Sequence, residues 1–210
     1  MKLSALFIAI LVGLTCASAA NAATIDLWSV FPDNQGDNGI YAYGYNVSTL
    51  SYRQLADVGL YSYGTPAANF GIPLLYKTAS PWIILHPTNG EDAVLGWMVP
   101  ESNIYDISGA VACIGGSYGS VNAYIKKNDT YITGYASLTG ETSFDLNDLS
   151  LNAGDMLYFG INANGNQDFD TSRLRAQIQY TPVPEPASLS FLGLGLFGLL
   201  KFRKRKGVNR

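Results

Sequence analysis

The chain has 210 residues, with 13 Lys/Arg against 16 Asp/Glu, one His and two Cys. More than half of the positive charge sits at the two ends, so residues 23–182 hold six basic and fifteen acidic side chains, a net charge of about −9. A body this acidic is a poor partner for nucleic acid or an anionic membrane. A single histidine excludes a His-rich metal centre, and Cys113, alone between residues 23 and 182, excludes a disulfide within that stretch.

Residues 1–22 read as a secretory signal peptide. Lys2 is the charged start, residues 3–14 are apolar, and Ala20-Asn21-Ala22 is an A-x-A cleavage site that leaves Ala23 as the first mature residue. Leu14-Thr15-Cys16 loosely resembles a lipobox, but threonine is wrong immediately before the cysteine. Residues 23–182 then make one domain by length.

That body is expected to be all-β. No stretch has a helical repeat of useful length. Short runs rich in Tyr, Val, Ile and Phe are instead bounded by Gly, Asn, Asp and Pro. Strands are predicted at 24–31, 39–45, 59–63, 82–85, 93–99, 105–113, 117–126, 131–138, 142–146, 156–162 and 173–180. Alternation is plain in two of them. Val121, Ala123 and Ile125 oppose Asn122, Tyr124 and Lys126, and Leu174, Ala176, Ile178 and Tyr180 oppose Arg173, Arg175, Gln177 and Gln179. Half-buried antiparallel sheet reads this way, and many such strands make an antiparallel β-sandwich or a barrel. Cys113, in step with Val111 and Gly109, reads as a buried strand thiol.

Several stretches carry candidate chemistry. Gly115-Gly116-Ser117-Tyr118-Gly119 matches G-x-S-x-G, but it lies between strands, and the only histidine, His86, precedes it. A hydrolase elbow needs strand, turn, helix and a later histidine, so a Gly-rich turn is expected. Asn162, Asn164, Asn166, Asp168 and Asp170 put oxygen ligands on a Gly-containing loop, as calcium requires; Asp33, Asn34, Asp37 and Asn38 make a second, weaker loop. Neither has the EF-hand spacing, and ordinary turns use the same residues. Otherwise no cofactor is expected. Tyr41, Tyr43 and Trp82 are candidates for stacking on sugar rings, being flat faces with a polar tip; tyrosine is equally a common strand residue.

Two segments together resemble jelly-roll, galactose-binding-like domains. The first is Gly96-Trp97-Met98-Val99-Pro100 with Tyr105-Asp106-Ile107-Ser108-Gly109. The second is Leu149-Ser150-Leu151-Asn152-Ala153-Gly154-Asp155-Met156-Leu157-Tyr158-Phe159. The resemblance implies hairpins, with residues 152–155 as the turn between two sheet strands, and glycan binding by analogy.

The C-terminal segment 183–210 has three parts. Val183-Pro184-Glu185-Pro186 is followed by an uncharged run over 187–200 and by Lys201-Phe202-Arg203-Lys204-Arg205-Lys206. The run would make a helix of about 21 Å, short for a bilayer core of about 30 Å. Snorkelling basic residues lengthen it, and their position predicts a cytoplasmic C-terminus. Gly193-x-Gly195-x-x-Gly198 inside it follows no strand and is not a nucleotide site. The three parts together resemble the PEP-CTERM sorting signal. The resemblance implies an exported protein anchored by the 187–200 helix and processed by an exosortase-type enzyme. It further implies residence at the cell surface or in an extracellular exopolysaccharide or biofilm matrix. The expected protein is therefore non-enzymatic, with exopolysaccharide or another glycan as partner. A secreted glycan-active enzyme and an ice- or surface-binding protein are the alternatives. The first needs paired carboxylates, and the second needs ranks of Thr-x-Thr, which the body lacks.

Overall fold

Alternating side chains set the strands of this computed structural model, which describes residues 21–59, 62–64, 73–78, 81–116, 119–166 and 168–182. Residues 1–20, the V-P-E-P motif, the apolar run 187–200 and the basic tail lie outside the described residues, as do Ser117, Tyr118 and Gln167. No helix among the described residues is long and apolar enough to cross a membrane.

The strands are β1 (Ala23–Asp26), β2 (Ile40–Asn46), β3 (Ser51–Gln54), β4 (Ala56–Gly59), β5 (Ser62–Gly64), β6 (Leu74–Lys77) and β7 (Ile83–His86). They continue as β8 (Glu91–Met98), β9 (Asn103–Cys113), β10 (Val121–Lys127), β11 (Thr130–Leu138), β12 (Glu141–Leu151), β13 (Met156–Asn162) and β14 (Ser172–Tyr180). Among the described residues they form two antiparallel sheets. The larger runs β12-β9-β14-β7-β6-β5-β4, with β1 pairing the C-terminal half of β14; the smaller runs β11-β10-β13-β8-β2-β3.

The sheets face each other across one apolar layer, as an antiparallel β-sandwich. Ile107, Val111, Leu174, Ala176, Ile178, Ile83 and Leu85 come from the larger sheet. Ala93, Leu95, Trp97, Leu157, Phe159, Ile161, Val121, Ala123 and Ile125 come from the smaller. Each large side chain fully buried here stabilises the fold by about 1.5–3 kcal/mol. Cys113 is buried at the end of β9, facing this layer.

Two expectations need correction. The first predicted strand ends early, at Asp26. The Asp26 carboxylate accepts the Trp28 amide, and its carbonyl accepts from Val30 N and the Ser29 hydroxyl, which turns the chain. The two jelly-roll-like segments are also not hairpins. β8 and β9 belong to opposite sheets, as do β12 and β13, so each segment is an arch between sheets. The arches lie side by side: Val99 N donates to Asp155 O, and Gly154 N donates to Val99 O, both at 2.9 Å. Residues 152–155 do form the turn, and the Asp155 carboxylate organises it. It accepts from Asn152 N and Asn128 Nδ2 and pairs with Lys127, and these contacts lower its pKa to about 2.

A tyrosine-covered sheet face

The outer face of the smaller sheet is built from residues that alternate with the core. Strand registers set them in rows across the sheet. One row runs Tyr41, Gly96, Tyr158, Lys126, Tyr131. The next runs Gln54, Tyr43, Val94, Gly160, Tyr124, Gly134. A third sets Tyr52, Tyr45 and Asp92 side by side, with Asn162 opposite Asn122 on the neighbouring strands.

Glycines leave the room that the tyrosines fill. A Cβ at Gly160 would stand 2.1 Å from Cζ of Tyr124, and one at Gly96 would meet the Tyr43 and Tyr158 rings at 3.0 and 3.3 Å. The rings therefore lie down on bare backbone, which is how sheets cover glycine with aromatic side chains. They also touch one another. Tyr41 stacks on Tyr43 at 5.9 Å, Tyr52 stacks on Tyr158 at 4.3 Å, and Tyr43 meets both Tyr52 and Tyr158 edge-on. Tyr45, Val94 and Tyr124 are buried here, outside the main core.

Two charges sit inside this layer. The Lys126 ammonium lies over the rings of Tyr45, Tyr124 and Tyr131, at 4.2, 4.9 and 4.3 Å, contacts that suit a desolvated cation. Asp92 is 2% exposed. Its carboxylate accepts the Tyr124 hydroxyl at 2.8 Å and Asn162 Nδ2 at 2.7 Å. Burial raises the Asp92 pKa, and the two hydrogen bonds and Lys126 oppose the rise. Burial, then the Tyr158 and Tyr41 phenols, pushes Tyr43 up to about 12, and burial raises Tyr52, Tyr124 and Tyr158 as well. These phenols therefore stay protonated at neutral pH. Next to Asp92 the face opens into a groove of about 370 Å³, walled by Val47, Tyr131 and Tyr135 and edged by Asn122 and Asn162.

The structure separates the three residues expected to stack on sugars. Tyr41 and Tyr43 share this face, while Trp82 precedes β7 of the other sheet, with the guanidinium groups of Arg173 and Arg175 at 4.2 and 4.7 Å from its ring. The expected calcium loop has most of its amide oxygens engaged. Asn162 Oδ1 accepts Asn164 N, Asn164 Oδ1 accepts Asn122 Nδ2, and Asn166 Oδ1 accepts Asp168 N. Asp168 is exposed. Asp170 differs: it is 1% exposed, neither carboxylate oxygen has a well-formed hydrogen bond, and burial raises its pKa to about 6, opposed by the nearby Ser120 amide and His86. No group of three or more His, Cys, Asp or Glu among the described residues is placed to hold a metal ion.

Sequence reasoning missed Asp92, Lys126, Asn122 and the Tyr52–Tyr158 stack. The available signal was the outward parity of Gly96 and Gly160, two empty positions on strands flanked by tyrosine-bearing ones.

Comparison with known proteins adds two findings. Residues 182–206 match the PEP-CTERM protein-sorting motif. No curated protein matches the chain. Among solved structures the chain is similar to tandem CBM51 modules of a family 98 glycoside hydrolase from Streptococcus pneumoniae, at 6% identity and TM-score 0.45, over 79% of this chain and 49% of that one. It is also similar to the GH26-CBM35 β-(1,4)-mannanase of Podospora anserina, at 15% identity and TM-score 0.34, over 71% of this chain. GITRL from bushbaby is a further similar structure, at 11% identity and TM-score 0.28, over 67% of this chain and 93% of that one. The chain spans 29% of the length of the mannanase.

Proposed function

We propose that the chain is an exported, non-enzymatic cell-surface or extracellular-matrix protein whose β-sandwich binds glycan on the tyrosine face. In this reading residues 1–22 direct export and 183–210 deliver the protein to an exosortase-type enzyme. The 187–200 helix holds it in the membrane, C-terminus cytoplasmic, until processing. The matrix would be an exopolysaccharide or biofilm. The observation that carries the binding reading is the continuous tyrosine array on the outer side of one sheet. Sugars offer apolar C–H faces to such rings and hydroxyls to the polar groups between them.

The test is glycan binding by the full-length protein in mild detergent, wild type against Tyr43→Ala and Tyr158→Ala. Each substitution should weaken binding by about tenfold or more. Unchanged affinity in both variants would move the site off this face. Sorting is tested separately, by intact mass and fractionation in the native host with Pro184→Ala/Glu185→Ala/Pro186→Ala. Wild type should be found shortened and outside the membrane, and the triple variant full-length within it. Identical behaviour of the two would make the segment a plain anchor.

A second reading concerns calcium. With the amide oxygens of Asn162, Asn164 and Asn166 each already accepting a hydrogen bond, this reading centres on Asp170, whose buried, poorly satisfied carboxylate fits a cation. Millimolar calcium should raise Tm for wild type and not for Asp170→Asn; no shift in wild type ends this reading.

A further inference from the structure

The groove beside Asp92 has a definite pattern of free hydrogen-bonding positions. Asp92 is an acceptor, so its contact fixes which atom of the Asn162 amide is nitrogen. The Ser137 main-chain N–H, donating to Asn122 Oδ1 at 2.9 Å, fixes the Asn122 amide in the same way. Each amide has two N–H donors and an oxygen with two lone pairs. Asn122 spends its donors on Asn164 Oδ1 at 3.1 Å and Asn162 Oδ1 at 3.4 Å, and keeps one oxygen lone pair. Asn162 accepts from Asn122 and from Asn164 N, donates once to Asp92, and keeps one N–H. Each Asp92 oxygen accepts one hydrogen bond from a side chain among the described residues, and the residue is buried behind the two amides. The groove thus has a donor next to an acceptor, with the buried Asp92 carboxylate behind them.

Charge narrows the occupant. Lys126 is the cation of the face, and it is 3% exposed beneath its tyrosines. Asp92 offsets it, and Asp129 stands close enough to act on the Tyr52 and Tyr158 phenols. The carboxylate or sulfate of an anionic sugar would bring only acceptors and a like charge to an edge backed by Asp92, within a body of about −9. A neutral diol brings both an O–H to donate and an oxygen to accept.

We infer that this groove is a subsite for an uncharged sugar ring, so that the tyrosine face selects neutral over uronic or sulfated glycans. Asn162 would donate to one hydroxyl, Asn122 would accept from its neighbour, and the exposed Tyr131 ring would cover the sugar's C–H face. Lys126 acts as a positioning residue that holds Tyr124 and Tyr131. The inference rests on the glycan-binding reading.

The experiment titrates the full-length protein in mild detergent with gluco-, manno- and galacto-oligosaccharides and with their uronic-acid counterparts, at low and high salt. The expected result is binding of a neutral oligosaccharide with less than about a twofold change across salt, since no ion pair is screened. Asn122→Ala, which removes the acceptor offered to the sugar, and Tyr131→Ala, at a 63% exposed position, should each weaken it by about tenfold. Thermal melts check that both variants fold, and Tyr131→Ala, at a position outside the main core, stands as the test if the first does not. Preferential, salt-sensitive binding of the uronic series that Tyr43→Ala abolishes would overturn the inference and leave the glycan reading standing. Neutral binding that is lost in Tyr43→Ala but untouched in both groove variants would do the same. Binding of no glycan at all would overturn both.

Discussion

The two outer faces of this sandwich obey the same alternation and end in opposite states. On the larger sheet, β9, β12 and β14 turn out Asp106, Ser108, Glu141, Ser143, Asp145, Arg175, Gln177 and Gln179, and all of these are exposed; of the outward residues of β9, only the small Ala110 and Ala112 are buried. On the smaller sheet, the outward Tyr45, Asp92, Val94, Tyr124 and Lys126 are all buried. Period two thus says which residues leave the core but not whether they meet water. What separates the faces is glycine among bulky neighbours: tyrosines fold over Gly96 and Gly160 and close a second layer over two charges. Such a layer is costly to disturb, whereas a solvated face is not.

The sharpest way to break the comparison is Asp92→Ala. It leaves the Tyr124 hydroxyl and an Asn162 N–H without their acceptor and Lys126 without its nearby counter-charge. Urea unfolding should show a loss of about 2–4 kcal/mol. A loss below about 1 kcal/mol would mean that water reaches these groups and that the layer is open. Gly160→Ala should follow, at about 1–3 kcal/mol, because the new methyl drives the Tyr124 ring off the backbone it covers.

Alkaline pH separates the faces by a smaller effect. The folded state holds Tyr43 at about 12, above its ordinary 10. A raised folded pKa means the stability it contributes is fully present below about pH 10 and is lost as pH rises through 12. Stability should therefore fall between pH 10 and 12 for wild type and less steeply for Tyr43→Phe. Equal slopes would place that phenol in water.

Much of the fold could be read before any coordinates. The alternation at 121–126 and 173–180 marks strands that the structure contains, because one apolar side chain in two is enough to assign a core face. The early end of β1 could not be read, because a local Asp26 turn competes with an otherwise strand-like run. β3, β6 and all but the last residue of β4 were missed because four residues such as Ser51–Gln54 carry too little pattern, and the strand expected at 59–63 straddles the end of β4 and the start of β5, where Gly59 pairs with Ser62. The arches passed for hairpins because pairing depends on partners far along the chain. The same distance hid the site. Tyr41 and Tyr43 share a strand, but Asp92 and Tyr124 are 32 residues apart, and Asp92 and Asn162 are 70 apart.

The smallest expected effect lies on the other face, and it tests the comparison from the side predicted to be indifferent. Glu141 receives Arg173 at 2.9 Å and Arg175 at 3.3 Å, so by contact distance it is the hub of an ion-pair network. All three side chains are 35–50% exposed, and pairs so placed are screened by salt and contribute about 0–1 kcal/mol. The guanidinium groups also keep the Trp82 ring when Glu141 is gone. Glu141→Ala should therefore change stability by less than about 0.5 kcal/mol, and less still in high salt. A loss above about 1 kcal/mol would make this a built network like the one around Asp92, and the two faces would no longer differ in kind. The buried Nε of Arg173, which has no hydrogen-bond partner, is where such a hidden coupling would enter. Repeating the measurement in Arg173→Lys, which lacks that nitrogen, would then show whether the guanidinium or the Glu141 carboxylate carries it.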